Sequence, residues 1–429
     1  MDRFEPDEAD FFTDLAVCAD PYPYLEGLRG RGPVSIEPHH QVVMVARREE
    51  ALAIYNDSAN FSACNAAAGP FPPLPFVPDS DDISADIAAF RDQMPSADLL
   101  ITYDRPEHAP ARSLLLSLFT PRRLAENETY LRGLCTRMTE AMLAKGTAEV
   151  VSELGSPYAT LVIADLLGIP EEDREIYRDR LTGAPGGIGE EAELGRNSNP
   201  LEFLHESFTA YIEQRRAAPK GDVLSDLANA AYPDGSVPAT IEVVRVAVNL
   251  FAAGQETTAR LLATTLRILA EQPELQARLR AEPAQIPAFV EEALRLEGPV
   301  KGTFRLARRT TTIGGVEIRA GATVMNAIAT INRDPALYER PDEIMLDRPR
   351  IREHFAFGRG VHTCPGASLA RVEVRVMLER LLEQTASISI SEMHHGKAGE
   401  RRFDYVPTYL LRGLNALHLV FAPHAGAAV

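Results

Sequence analysis

The chain has 429 residues, a formal net charge of −17 at pH 7 and a pI of about 5.1. This acidity disfavours non-specific binding to DNA or to an anionic membrane, since like charges repel. The four cysteines are widely spaced and form no metal, redox or disulfide pattern, which fits a reducing cytosol. The acidic N-terminus has no signal-peptide pattern. The sequence has no run of about 18 apolar residues, so no membrane-spanning helix is expected.

The first hundred residues predict short elements in an otherwise irregular stretch. Residues 1–20 are expected to be flexible, and residues 22–29 and 51–54 have helical patterns. The β-branched runs at 34–36 and 42–45 predict a hairpin. Prolines exclude a helix or a central strand from much of residues 66–98, so this stretch is either a functional loop or a stiffened surface loop.

A helix is predicted after Pro106, with Asp104 able to cap it. His108 and Arg112 are four residues apart and therefore lie on one helix face. Two donor groups on one face suit a bound carboxylate, although a solvated charge pair has the same spacing.

The middle of the chain is predicted to be mostly helical from residue 121 to 182, and a glycine-rich stretch from 183 to 200 predicts a flexible connection. Residues 239–270 then predict one long helix, apolar on most faces and therefore buried. Gly254 and Glu256 are costly at its centre. They indicate a distorted turn that leaves a carbonyl free and brings an acid beside an alcohol, Thr257.

Beyond the long helix, Glu292 and Arg295 have the spacing of a helical ion pair. Strand patterns follow at 312–318 and 323–325, and the tail at 407–423 also predicts a strand. Between them lies the glycine-rich stretch 354–366, with its single cysteine, Cys364, just ahead of a helical pattern. A cysteine at a helix start is expected to favour the thiolate, a strong ligand for haem iron.

The stretch around Cys364 resembles the cysteine-ligand loop of the cytochrome P450 (haem-thiolate monooxygenase) family. The spacing Phe-Gly-x-Gly-x-His-x-Cys-x-Gly is filled without departure by six residues: Phe357, Gly358, Gly360, His362, Cys364 and Gly366. Ala253, Gly254, Glu256 and Thr257 are similar to the oxygen-activating turn of the same family. The resemblance covers roughly residues 20–423 and implies a single mainly α domain with a small β region. It also implies haem b between the long helix and the cysteine-ligand helix.

The resemblance implies a role for each matching residue. Cys364 is the axial ligand of the haem iron, Thr257 hydrogen-bonds dioxygen, and Glu256 relays protons. The other expected haem contacts are His108, Arg112, Arg305, His354, Phe357, Gly358 and Gly366. Glu292, Arg295 and Arg348 form the implied structural triad.

The same resemblance places the substrate pocket under the loop at 66–98 and places 183–200 between two helices that act as a lid. Candidate pocket residues are Leu99, Leu100, Ile101, Asn249, Ala252, Ala253, Lys301, Leu410 and Leu411. Their largely apolar character favours a lipid, terpenoid, steroid or aromatic substrate. The commoner interpretation of Lys301 is a solvated side chain, and that of Asn249 is a locally satisfied amide.

The expected function is hydroxylation of a C–H bond with O2 by a cytoplasmic, monomeric protein that binds neither membrane nor nucleic acid. With no flavin or nicotinamide fingerprint, the chain should receive electrons from an iron–sulfur ferredoxin and its reductase, docking near Arg359, Arg371 and Arg375. Two alternatives remain open: a haem-thiolate enzyme with different oxidative chemistry, such as coupling, epoxidation or peroxygenation, and a non-catalytic haem sensor.

Overall fold

Helices predominate in the computed structural model, which describes residues 8–181 and 200–424. The α-helices of these residues are α1 Leu15–Ala19, α2 Tyr22–Gly30, α3 Arg48–Asn56, α4 Ser84–Ala89, α5 His108–Ser113, α6 Pro121–Lys145, α7 Ser156–Leu166, α8 Glu171–Leu181, α9 Pro200–Ala217, α10 Val223–Ala228, α11 Thr240–Glu271, α12 Pro273–Ala281, α13 Ile286–Glu297, α14 Ile328–Ile331, α15 Ala367–Gln384 and α16 Glu392–His395. The predicted mainly α fold class is confirmed.

The strands are short and form three small sheets in the described residues. They are β1 Val34–Ile36, β2 Val43–Val45, β3 Phe61–Ser62, β4 Thr147–Glu149, β5 Thr303–Ala307, β6 Thr311–Ile313, β7 Val316–Ile318, β8 Thr323–Asn326, β9 Thr385–Ile390 and β10 His418–Pro423. The strand orders are β1-β2-β8-β5-β3, β4-β10-β9 and β6-β7. The predicted β1–β2 hairpin is confirmed, with Val34 opposite Val45.

The long helix α11 is the element around which the main core is built. It begins one residue later than predicted, where the Glu242 carboxylate accepts the backbone N–H of Ala239 at 2.6 Å. Helices α7, α9, α13 and α15 all pack against it. Most of its residues from Val243 to Phe251 and from Thr258 to Ala270 are buried, as expected for a helix that is apolar on most faces.

Two sequence expectations differ from the structure. The run 312–318 is not one strand, because Gly314 and Gly315 have φ of +58° and +80° and turn the chain between β6 and β7. Residues 8–20 were expected to be flexible, yet Phe11 and Phe12 are buried against Tyr24 and neighbouring rings. Apolar burial fixes this segment. The predicted flexible connection at 183–200 lies outside the described residues, apart from Pro200 at the start of α9.

The expected structural triad behind the core is assembled. Arg295 contacts both carboxylate oxygens of Glu292, at 2.8 and 3.0 Å, and Arg348 Nε lies 2.9 Å from Oε1. All three side chains are almost fully buried. Their remaining donors bind backbone carbonyls such as those of Asn332 and Glu343, so the triad holds the irregular segment 332–348 in place.

None of the helices in residues 8–181 and 200–424 is both long enough and apolar enough to cross a bilayer.

Candidate functional site

The loop that carries Cys364 is closed by its own backbone. The N–H of Cys364 donates to the carbonyl of Phe357 at 2.9 Å, and α15 begins three residues later with Gly366 as its N-cap. Gly360 has a φ of +72°, and a Cβ there would stand 2.6 Å from the carbonyl oxygen of Tyr55. This glycine is therefore required both by its backbone conformation and by the close approach of α3.

The thiol of Cys364 is enclosed by protein but retains accessible surface, so it faces an internal space. Burial raises the pKa of this thiol, and the N–H of Gly366 with the charges of Arg112 and Arg371 acts in the opposite direction. In the protein without a metal ion, desolvation of the thiolate outweighs these favourable interactions. A coordinating metal ion would remove the thiol proton.

Four donor side chains meet on one side of this space: His108, Arg112, Arg305 and His362. The rings of His108 and His362 lie 4.1 Å apart, and burial together with the charges of Arg305, His108 and Arg112 lowers the pKa of His362 to about 2. His108 Nε2 is buried and has no hydrogen-bond partner among the residues that the structure describes. Within the described ranges, no carboxylate forms an ion pair with Arg112 or Arg305.

Such a grouping of like charges is unfavourable unless an anion joins it. The unpaired guanidinium groups, the orphaned imidazole nitrogen and the nearby thiol match the donors that the two carboxylates and the iron of haem b require. The residues present therefore fit this cofactor.

His354, expected to contact a haem propionate, is engaged elsewhere. Its Nε2 lies 2.9 Å from Glu291 Oε2, its Nδ1 accepts the N–H of Ala356 at 3.2 Å, and the side chain is buried. Both ring nitrogens are thus occupied by protein. His362, two residues before Cys364, lies with the other donors instead. The sequence signal for His362 is its fixed position in the motif around Cys364.

The oxygen-activating turn of α11 differs from the expected distortion. The helix is continuous, and the Thr257 hydroxyl donates to the carbonyl of Ala253 at 2.7 Å, so that carbonyl is not free. Glu256 forms an ion pair with Arg260, one turn along, rather than lying beside Thr257. An arginine four residues on is the nearer partner, which explains the difference.

This turn nevertheless interrupts the buried surface of α11. Ala253 is exposed, and the residues from Gly254 to Thr257 are partly exposed, in a helix that is otherwise core. Gly254 has a packing role, because a Cβ there would lie 3.2 Å from Ile163 Cδ1 on α7. Thr257 belongs to this partly exposed turn.

A cavity of about 1380 Å³ lies between α5, the N-terminal half of α11 and the segment 84–105. Two predicted pocket residues, Leu100 and Asn249, line it, whereas Leu99, Ile101, Ala252 and Ala253 do not. Asn249 Nδ2 donates to the carbonyl of Arg245 at 2.7 Å, the local satisfaction that was expected. The lining does not include Cys364, so this cavity is a chamber beside the cysteine site.

The remaining pocket candidates lie elsewhere. Leu410 packs with the N-terminal apolar cluster, and Leu411 is buried and bridges to Val300. Lys301 is buried rather than solvated, since its Nζ donates to the carbonyls of Cys18 and Thr408 at 2.8 and 2.6 Å. Burial lowers the pKa of Lys301 to about 8.

Two of the three arginines expected to dock a redox partner are already paired. Arg371 binds Glu291, and Arg375 binds Glu128 and Glu379. Arg359 donates to the backbone carbonyls of Arg352 and His354. The positive charge of this surface is therefore smaller than the sequence indicates.

Sequence analysis missed Glu373, a buried carboxyl on α15. Burial raises its pKa to about 7, against a smaller opposing effect of the Thr258 hydroxyl on α11, and Oε2 has no hydrogen-bond partner. A glutamate among the apolar residues Leu369, Val374 and Met377 was the available signal.

Comparison with known proteins agrees with this geometry. The family model described as Cytochrome P450 matches residues 193–386. Cytochrome P450 109 of Bacillus spizizenii is 31% identical over 324 residues, which cover 74% of this chain and 78% of that protein. The chain belongs to the cytochrome P450 family. Cytochromes P450 bind haem through a cysteine thiolate, so this protein is a haem-containing oxidoreductase of the monooxygenase type.

Solved cytochromes P450 have the same fold. The substrate-free CYP150A6 of Mycobacterium marinum superposes with a TM-score of 0.93 at 50% identity, covering 98% of this chain and 100% of that one. CYP109E1 of Bacillus megaterium, in complex with corticosterone, superposes with a TM-score of 0.78 at 25% identity over 94% and 99% of the two chains. Pentalenic acid synthase of Streptomyces avermitilis is 34% identical over 68% of this chain and 71% of its own length.

Proposed function

We propose that this cytochrome P450 hydroxylates a C–H bond of a largely hydrophobic small molecule in the cytoplasm, with electrons from a separate ferredoxin and its reductase. The observation that carries the proposal is the group of four donors without a carboxylate partner beside Cys364. Haem bound there supplies an iron centre that activates dioxygen for insertion of one oxygen atom. The remaining steps depend on this chain's own residues.

The haem would be held by Cys364 through sulfur and by His108, Arg112, Arg305 and His362 through its carboxylates. His362 is proposed here in place of His354, whose ring nitrogens bind Glu291 and Ala356. Phe357, Gly358 and Gly366 form the backbone and ring surface around the sulfur. In this assignment Arg112 and Arg305 gain the anionic partners that they lack among the residues the structure describes.

Thr257 holds a hydroxyl on the open side of α11 and is proposed to donate a proton toward the reacting oxygen. Its hydrogen bond to the Ala253 carbonyl orients the oxygen atom, so the hydroxyl must rotate to donate elsewhere. Glu256 can supply protons to this region only after it separates from Arg260. Proton delivery through a positioned hydroxyl and a titratable group is ordinary acid–base chemistry.

Two relatives support a hydrophobic substrate. CYP109E1 has been solved with corticosterone and with testosterone, and a second relative is a pentalenic acid synthase. The inner lining of the cavity includes the apolar side chains of Leu100, Leu114 and Val246.

The test begins with the reduced protein and carbon monoxide. A long-wavelength absorption band is expected, and Cys364→Ser should lose it; a wild-type protein without that band would overturn the proposal.

The second experiment uses a ligand that changes the spin state of the ferric haem. With that ligand, Thr257→Ala should form less hydroxylated product per electron consumed than wild type. Equal coupling in both proteins would remove Thr257 from the mechanism. Oxidation without hydroxylated product would favour the alternative oxidative chemistries, and binding without electron consumption would favour a sensor.

A further inference from the structure

Arg371 is the first cation of α15 after Cys364. Its side chain folds back toward the start of the helix, since Nη1 donates to the carbonyl of Ala367 at 3.1 Å, three residues after the cysteine. The guanidinium also lies beside the ring of Phe357, whose carbonyl accepts the N–H of Cys364. The positive charge of Arg371 is therefore held next to the backbone that carries the sulfur.

A buried carboxylate compensates this charge. Glu291 on α13 binds Arg371 through both of its oxygens and also contacts the ring of His354. Burial lowers the pKa of His354 below 6.5, so this imidazole is neutral at pH 7. Arg352, on a side chain that is 75% exposed, approaches Glu291 Oε1 at 3.3 Å. The buried charges of the cluster are thus one carboxylate and one guanidinium.

Two cations act on the sulfur, and they are balanced in different ways. The charges of Arg112 and Arg371 both oppose the burial that raises the pKa of the Cys364 thiol. In the proposed assignment Arg112 binds a haem carboxylate, so the cofactor balances its charge. Arg371 is balanced by the protein, through Glu291. The charge that the sulfur experiences from this side therefore depends on a residue of α13.

Such a charge affects the reduction of a bound haem. Reduction of the ferric iron adds one electron, so a nearby cation stabilises the reduced state and a nearby anion destabilises it. This effect is larger in a buried site than in water, because the local dielectric constant is lower. Groups around the ligand are among the features by which a protein tunes a metal centre.

We propose that Arg371 and Glu291 are positioning residues that set the reduction potential of the haem iron and the electron donation of the Cys364 sulfur, with Glu291 limiting the effect of the Arg371 charge. This inference rests on Cys364 as the iron ligand, as in the proposed function, and adds to it. The electron comes from the redox partner, and no bond of the cluster forms or breaks.

The experiment measures the midpoint potential of the haem-loaded full chain at pH 7, without substrate. Arg371→Gln leaves Glu291 less compensated and should lower the equilibrium constant for reduction at least about threefold. This equals a potential lower by about 30 mV, since a tenfold change is about 59 mV for one electron. Glu291→Gln leaves the guanidinium uncompensated and should raise the potential by a similar amount. The double variant should return near the wild-type value.

The carbon monoxide complex provides a second measurement on the same variants. A more strongly donating sulfur increases back-donation from iron to carbon monoxide and lowers the C–O stretching frequency. The frequency should therefore be lowest in Arg371→Gln and highest in Glu291→Gln. An order opposite to this one would contradict the assigned charge effect.

Two further variants separate charge from structure. Arg371→Lys keeps the charge and should have a potential closer to wild type than Arg371→Gln. Arg375→Gln is the matched control, because Arg375 lies one turn further along α15 and pairs with Glu128 and Glu379 instead. Its potential should stay near the wild-type value.

Several outcomes would overturn the inference. They are potentials that shift in the same direction in both single glutamine variants, potentials that do not shift, and equal shifts in Arg371→Lys and Arg371→Gln. If a glutamine variant does not incorporate haem, Arg352→Gln replaces it, measured at about 0.01 M salt, where the screening length is about 30 Å. Its potential should lie below wild type, and an unchanged value would also refute the proposal. The carbon monoxide band remains in all these outcomes, whereas its absence from wild type would instead remove Cys364 as the ligand.

Discussion

Glu291 and Arg371 form a two-point ion pair behind the cysteine loop: Arg371 Nε lies 2.7 Å from Oε1 and Nη2 lies 3.1 Å from Oε2. The same carboxylate accepts His354 Nε2, so one residue of α13 binds both the start of the loop and the helix that follows Cys364. The guanidinium of Arg371 also lies 4.5 Å from the ring centre of Phe357. Glu291 therefore connects the two flanks of the loop.

Glu291→Gln is expected to destabilise the protein by about 2 kcal/mol, the usual size for hydrogen bonds to a charged group. Burial raises the pKa of Glu291, but the bonds from His354 and Arg371 outweigh it and bring the pKa from 4.5 down to about 2. This stabilisation is present above pH 4.5 and is lost as the pH falls toward 2. Denaturant unfolding of wild type and variant at pH 7 measures it. Arg371→Gln should lower the free energy of unfolding by a similar amount. Equal denaturation midpoints for wild type and both variants would show that the Glu291–Arg371 ion pair does not stabilise the fold.

His362→Ala and His354→Ala are expected to have different effects. His362→Ala removes a haem donor and should speed haem transfer to an acceptor globin severalfold. His354→Ala removes one of the two donors to the buried Oε2 of Glu291 and should lower the free energy of unfolding by about 1–3 kcal/mol, with haem transfer near the wild-type rate. Stopped-flow transfer and denaturant unfolding measure the two effects. Faster transfer in the His354 variant alone would restore the sequence-based assignment.

The fold was predictable to the extent that local patterns decide it. The long helix α11, the β1–β2 hairpin and the helix after Cys364 follow from apolar periodicity and glycine spacing. The ordered structure of residues 8–20 was not predictable from local patterns. It depends on Phe11 and Phe12 packing against aromatic rings from other parts of the chain.

The site was predictable in its residue types but not in its pairings. The family resemblance implied that Cys364, His108 and Arg112 belong to one site, and it assigned His354 rather than His362 to the haem. Only the long-range partner Glu291 separates His354 from His362. Glu256 likewise turns to Arg260, a partner that the motif does not include.

Gly360→Ala is expected to lower stability by more than about 2 kcal/mol and to reduce haem incorporation. A left-handed backbone at a non-glycine residue costs about 1–2 kcal/mol, and here the added Cβ would also meet the carbonyl of Tyr55 at 2.6 Å. Gly315→Ala is the matched control, because it has a φ of +80° with nothing within 4 Å of the added Cβ. Denaturant midpoints and the haem-to-protein absorbance ratio measure the difference. Equal costs at the two positions would show that the contact with Tyr55 is unimportant.

Glu373→Gln is expected to reduce the loss of stability between acidic and mildly alkaline pH. Burial raises the pKa of Glu373 from 4.5 to about 7, so the folded state binds its proton more tightly than the unfolded chain does. The contribution of this group is therefore fully favourable below pH 4.5, declines as the pH rises, and is lost above about pH 7. The shift corresponds to about 3 kcal/mol.

Glutamine keeps the shape and the hydrogen-bonding groups but cannot ionise, so the variant should exceed wild type in stability at pH 8 more than at pH 5. Urea unfolding of both proteins at the two pH values gives the comparison, and the other titrating groups cancel because they are shared. A difference between variant and wild type that is the same at both pH values would mean that Glu373 does not change protonation on folding.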